Sequence, residues 1–334
     1  MKRVTFGCRG RLVAALAATG VLVALTALPA GARAPRANGQ ISYDLDGNGV
    51  VTANADGTSS NLLVPGTCCG GWSPDGSKLA VPYLTDDGRI GTSIINANGS
   101  GYTPFPIDDP TLNIGCGIGS WAPDGKQLAC QVWDNTFPSR GGIDIVSPAD
   151  GSVLRVLTHA NGGVDSPGSY SPDGKRLVFL RGDQNGDAMS GAPGLGLFVV
   201  KINDGQLRQI TPDGTLIQGG NNGDWSPQGN EIIFSRHVTS DVRGSIWVVR
   251  ADGSGLHEIH IQGLDCGGSV FTPDGVGCHG VGWSPDGTKI IFSANSAAGG
   301  RDVYTANADG SGLRQVTHIG IADDPDWGTH PPVN

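Results

Sequence analysis

A pentapeptide that recurs along the chain constrains its fold more than any other feature. Trp72-Ser-Pro-Asp-Gly76 returns as Trp121-Ala-Pro-Asp-Gly125, Tyr170-Ser-Pro-Asp-Gly174, Trp225-Ser-Pro-Gln-Gly229 and Trp283-Ser-Pro-Asp-Gly287, and a truncated sixth copy stands at Asp326-Trp327-Gly328. The spacings are 49, 49, 55, 58 and 44 residues, each long enough for a small sheet that must stack on its neighbours to bury its faces. Within each copy Pro sets φ for the second position of a type I turn, and Gly can take the left-handed conformation that follows it. Each copy therefore encodes a hairpin.

Short β-rich runs follow these turns, among them Leu79-Ala80-Val81, Leu177-Val178-Phe179 and Ile290-Ile291-Phe292. They read as strands buried on both faces. A third strand comes next in each copy, then a second turn signal at Asp56-Gly57, Asn98-Gly99, Asp150-Gly151, Asp204-Gly205, Asp252-Gly253 and Asp309-Gly310, then a fourth strand. The pattern predicts an all-β, six-bladed β-propeller with four-stranded antiparallel blades. Residues 40–64 supply strands two, three and four of a blade without a preceding Trp turn, and Asp326-Trp327-Gly328 has a Trp without following strands. The ring is thus predicted to close through a C-terminal innermost strand in the first blade, which removes two exposed sheet edges. Composition agrees, since the chain has 55 glycines, and only Glu231 and Glu258 among its 31 acidic residues are glutamates. Turn formers abound while helix formers are scarce.

The N-terminus carries Lys2, Arg3, Arg9 and Arg11, then an apolar run from Leu12 to Leu28, then small residues around Ala30-Gly31-Ala32. This is the layout of a secretory signal. The predicted organisation is a signal peptide over 1–32, a short linker over 33–39, one propeller over 40–330 and a tail over 331–334. The mature protein is expected to be secreted or held in the cell envelope, monomeric, with no membrane span after cleavage. The net charge of −9 becomes more negative once the basic signal is gone, which argues against a nucleic-acid partner.

The Trp-Ser-Pro-Asp-Gly turns, the Asn-Ala-Asp-Gly-Ser-Gly-Leu stretch at 307–313 and the terminal Pro325-Asp326-Trp327-Gly328 together resemble the TolB-type propellers with their WD-like Pro-Asp repeat. The resemblance covers nearly the whole expected mature chain, without the N-terminal α/β domain that TolB carries. It implies the propeller fold and the binding of a protein partner or a small ligand near the axis.

Connectivity locates the expected site. The uniform turns join strands one to two and three to four on one face, so the irregular connections lie on the other. Variable loops on a rigid scaffold are where binding sites are built. Polar residues just before the Trp turns should ring the channel mouth there: Asp165, Asn221, Asn222, Asp224, His279, Asp323 and Asp324. Such residues also cap strand ends and bind water. Cys68, Cys69, Cys116, Cys130, Cys266 and Cys278 read as disulfide candidates in an exported chain. Cys266 with Cys278 and Cys116 with Cys130 are the natural pairs; Cys68 and Cys69 are left as a vicinal bond, free thiols or partners of neighbouring blades. The alternative to disulfides is a metal-thiolate site with His279 beside Cys278, although the Cys-x-x-Cys spacing of zinc sites is absent. Asp44, Asp46 and Asn48 match the opening of a calcium loop, although its closing glutamate is replaced by Ala55. Calcium is thus a possible ligand, and no other cofactor is implied. No hydrolase elbow, zinc-protease motif or phosphate loop occurs. A non-catalytic binder is expected; the alternative is a propeller hydrolase or lyase using an axial Asp/His metal site.

Overall fold

The computed structural model describes residues 36–329, except for 47, 107–108, 110, 135, 161–162, 219, 221, 238–243, 267–276 and 297–298. The described residues form six four-stranded antiparallel sheets. Blade 2 comprises Gly71–Trp72, Lys78–Leu84, Ile90–Asn96 and Thr103–Pro104, and blades 3 to 6 repeat this order from the axis outward. In blade 1 the innermost strand is Asp323–Thr329, paired antiparallel with Asn38–Asp44, which is followed by Gly49–Ala53 and Asn61–Pro65. The ring therefore closes through its C-terminal strand, as the incomplete first and last repeats require, with Ile41 opposite Trp327 and Ser42 opposite Asp326.

The repeated pentapeptide builds the hairpin that the residue chemistry predicts. Gly76, Gly125, Gly174, Gly229 and Gly287 all take φ between 70° and 76°. Each donates its N–H to the carbonyl three residues back. Ser73, Ser171 and Ser284 donate their hydroxyls to the turn aspartates Asp75, Asp173 and Asp286 at 2.6–2.7 Å. In the blade 5 copy Gln228 replaces that aspartate, and the Ser226 hydroxyl bonds Asn230 instead.

Six apolar clusters fill the six seams between successive blades, including the seam between blade 6 and blade 1. Each seam contains one repeat aromatic, contributed by the later blade: Trp72, Trp121, Tyr170, Trp225, Trp283 or Trp327. All six are at most 9% exposed. The Trp of the repeat is thus the piece that stacks one sheet on the next, which explains why it recurs at the blade period. Trp327 does this where the first and last described strands meet.

Blade 3 departs from the pattern. Its innermost strand is Leu112–Gly115, and Trp121 meets Leu128 only as an isolated bridge. The insert between them begins at Cys116, bonded to Cys130 on the adjacent strand, and includes Gly119 at φ 74°.

Candidate functional site

The loop-rich face carries a charged cluster where blades 6, 1 and 2 meet around the axis. His279 begins the innermost strand of blade 6, Asp323 and Asp324 begin that of blade 1, and Arg301 begins the third strand of blade 6. Asp44 ends the second strand of blade 1, Asp46 lies in the loop after it, and Cys68 and Cys69 lie in the connection to blade 2. All belong to strand ends or connections on the face opposite the uniform turns, so the connectivity places them on one face.

His279 Nε2 lies 2.6 Å from an Asp323 oxygen, and Arg301 Nη1 lies 2.6 Å from the other. Arg301 also pairs with Asp46, tying the third strand of blade 6 to the loop of blade 1. Burial opposes ionisation of Asp323, but the bond to His279 and the charges of His279 and Arg301 outweigh it and hold its carboxyl below the usual range. The same contact overcomes desolvation at His279 and raises its pKa. Asp324 behaves oppositely. Desolvation first, then the charges of Asp323 and Asp44, push its carboxyl up to about 7. Asp324 and Cys69 both hold the left-handed backbone conformation, at φ 41° and 61°, rare for residues other than glycine.

Ligand-capable atoms of His279, Asp323 and Asp324 lie within 4.8 Å of one another, and so do those of Asp44, Cys68 and Cys69. The two groups adjoin, since Asp324 and Asp44 both act electrostatically on Cys69. The hydrogen bond that the Cys69 thiol donates to Cys68, burial and these carboxylates all raise the Cys69 thiol pKa.

The other residues expected at the mouth are held by the scaffold. Asp165 is buried and accepts two 2.7 Å bonds from the Arg181 guanidinium. Asn222 donates to the Pro167 carbonyl at 3.0 Å, linking the entry to blade 5 back to blade 4. Asp224 accepts the Trp283 N–H at 2.7 Å, joining blade 5 to blade 6, and desolvation raises its carboxyl to about 7. Asn221 lies outside the described residues. The calcium candidates each have other partners: Asp46 pairs with Arg301, Asp44 groups with the two thiols, and the Asn48 amide donates to the Leu45 and Asp46 carbonyls. Two disulfides form, Cys116–Cys130 and Cys266–Cys278, the natural pairs by sequence, and Cys68 and Cys69 are free thiols.

Three participants escaped the sequence reading. Arg301 could have been found, because the third strands of blades 1, 3, 4 and 5 open with Gly49, Gly142, Gly196 and Gly244 where blade 6 has arginine. Asp326 accepts the Trp72 N–H at 3.1 Å, the same role that Asp224 plays for Trp283. Its place directly before the repeat Trp was the available signal. His237, buried at the end of the second strand of blade 5, has a pKa lowered by burial and by the charge of His279. A cleft between blades 3 and 4, lined by Asp173–Arg176 and Ile202–Asp204, opens on the opposite, turn-bearing face.

Ring closure and Trp-filled seams define a closed six-bladed propeller with a charged mouth on its loop-rich face. Its fold is that of the TolB-type propellers. TolB from Acinetobacter baumannii superposes with a TM-score of 0.63 at 17% identity, over 87% of this chain and 66% of that one, just under two thirds of its length. A putative TolB from Agrobacterium tumefaciens matches with a TM-score of 0.59 at 17% identity, over 89% of this chain and 99% of that one. A nidogen/laminin complex structure matches with a TM-score of 0.61 at 10% identity, over 86% and 98%. No protein-family model matches the chain, and no curated protein matches it.

Proposed function

We propose that this protein is an exported binding propeller that takes a basic group, from a protein partner or a small ligand, into the mouth on its loop-rich face. The observation that carries this reading is the recessed carboxyl of Asp324. Desolvation and the neighbouring carboxylates Asp323 and Asp44 hold its pKa near 7, so it is a negative site in waiting. A lysine or arginine side chain entering there would add to the charges of His279 and Arg301 and favour ionisation. The acidic balance of the chain, −9 overall, would draw such a ligand in. The two disulfides fit an oxidising, extracytoplasmic setting.

Titration calorimetry with a short oligolysine and a length-matched oligoglutamate tests the reading. Oligolysine is expected to bind, more tightly as pH rises from 6 to 8 and the ionised fraction of Asp324 grows. Asp324→Asn is expected to weaken it at least tenfold. Equal binding of both peptides, or an unaffected Asp324→Asn variant, would sink the idea.

A second reading, a hydrolase or lyase working through an axial Asp/His metal site, is favoured by the convergence of His279, Asp323 and Asp324. The two readings part on His279→Ala. That change should abolish metal-dependent turnover if the site is catalytic, and should leave oligolysine binding within a few fold if it is not.

A further inference from the structure

The thiols of Cys68 and Cys69 have no part in the reading above, and they are set apart from every other described cysteine. Cys116, Cys130, Cys266 and Cys278 are all paired, whereas these two remain unbonded, adjacent in sequence and partly exposed on the loop-rich face. Their sulfurs and a carboxylate oxygen of Asp44 all lie within 4.8 Å of one another. Asp44 itself is 3% exposed, at the end of a strand whose pairing fixes its position. We propose that Asp44, Cys68 and Cys69, with Asp324 alongside, form a binding site for a thiophilic divalent cation of the zinc class.

The donor set selects the metal. Two thiolates and a carboxylate suit zinc and its heavier congener cadmium, whereas calcium and magnesium take oxygen donors. Tetrahedral bonds of about 2.0–2.3 Å to one ion set its ligand atoms ~3.3–3.8 Å apart, inside the 4.8 Å within which these three atoms lie. Charge points the same way, since a divalent cation would offset the carboxylates of Asp324 and Asp44 that act on Cys69. Arg301, bordering the cluster, is bound to Asp323 and Asp46. In the neighbouring group of His279, Asp323 and Asp324, Asp323 is held by both His279 and Arg301. Those residues form an ion-pair network at the border of the thiol site, with Asp324 shared between the two. Binding releases protons from the thiols and consumes no oxidant or reductant.

Purified protein titrated with cadmium, then competed with zinc, tests the assignment. One equivalent should bind, with an ultraviolet sulfur-to-cadmium charge-transfer band that zinc abolishes, and the two thiols should become protected from a thiol reagent. The Cys68→Ser/Cys69→Ser double variant should lose the band. Asp44→Asn should weaken binding at least tenfold while the metal-free melting transition stays near the parent's. The site is excluded by any of four results: no band in the parent, an undiminished band in the double variant, unchanged affinity in Asp44→Asn, or isolation of the parent with Cys68 and Cys69 joined and unable to take up metal. If the double variant does not fold, thiol protection in the parent and the Asp44→Asn affinity still decide. Oligolysine binding is measured separately, so failure here leaves that reading standing and the converse also holds.

Discussion

Asp224 shows how one side chain changes meaning between sequence and structure. Its polar type and its place before a repeat Trp suggested a residue facing a ligand, but its carboxylate accepts the Trp283 N–H of the next blade. Ser169 does the same for Trp225 at 2.7 Å, and Asp326 for Trp72. The position before the Trp is therefore a blade-to-blade fastener in at least these three copies. Desolvation raises the Asp224 carboxyl to about 7, so the folded state holds its proton more tightly than the unfolded chain does. Stability attributable to this group should fall as pH rises from about 4 to 7, by up to about 1.4 kcal/mol per pH unit, and level off above that. Asp224→Asn keeps an oxygen for the Trp283 N–H and cannot ionise. Its melting temperature relative to the parent should rise across that interval, and a constant difference from pH 4 to 8 would contradict the assignment. Other residues at the mouth were legible by type and place but not by role. Asp165 could be located at the start of an inner strand, whereas its partner Arg181 is identified only by the 2.7 Å contacts.

Among the elements, the hairpin and the seam were readable because each is made by residues close in sequence or repeated at a fixed period. The Pro and Gly of the pentapeptide dictate the turn locally. Its Trp packs into the seam with the preceding blade in every copy. Trp225→Ala should therefore open one seam, between blades 4 and 5, at a cost of about 3–5 kcal/mol measured by chemical denaturation. A loss below ~1 kcal/mol would show that the aromatic is not the packing element. Gly76 adds a constraint of its own: at φ 70°, a Cβ there would lie 2.2 Å from the Thr329 carbonyl of the closing strand. Gly76→Ala should weaken the junction of blades 1 and 2 more than the loss of backbone freedom alone accounts for. The broken inner strand of blade 3 was not readable. The turn that follows Trp121 is regular, and Gly115, Gly117 and Gly119 weaken the strand without fixing that it stops at Gly115.

At the scale of the whole molecule, the C-terminal strand is both a structural and a functional element. Trp327 fills the last seam, Asp326 holds the Trp72 N–H, the Thr329 hydroxyl donates to Pro74 at 2.8 Å, and the same strand begins with Asp323 and Asp324. Deleting residues 325–334 should expose the inner edge of Asn38–Asp44, lower the melting temperature sharply and promote aggregation. A truncated protein that melts with the parent would show that closure contributes nothing. The amino-acid sequence by itself determined the number of blades, the turn chemistry, the direction of closure, the two disulfides and the face that carries the variable loops. Those features depend on residues within one repeat or on the period between repeats. Only the tertiary structure decided which charges meet. Arg301 with Asp46 and Asp326 with Trp72 are pairs separated by 255 and 254 residues. Closing the ring brings such distant strand ends to one axis, and no local pattern records which of them will face each other there.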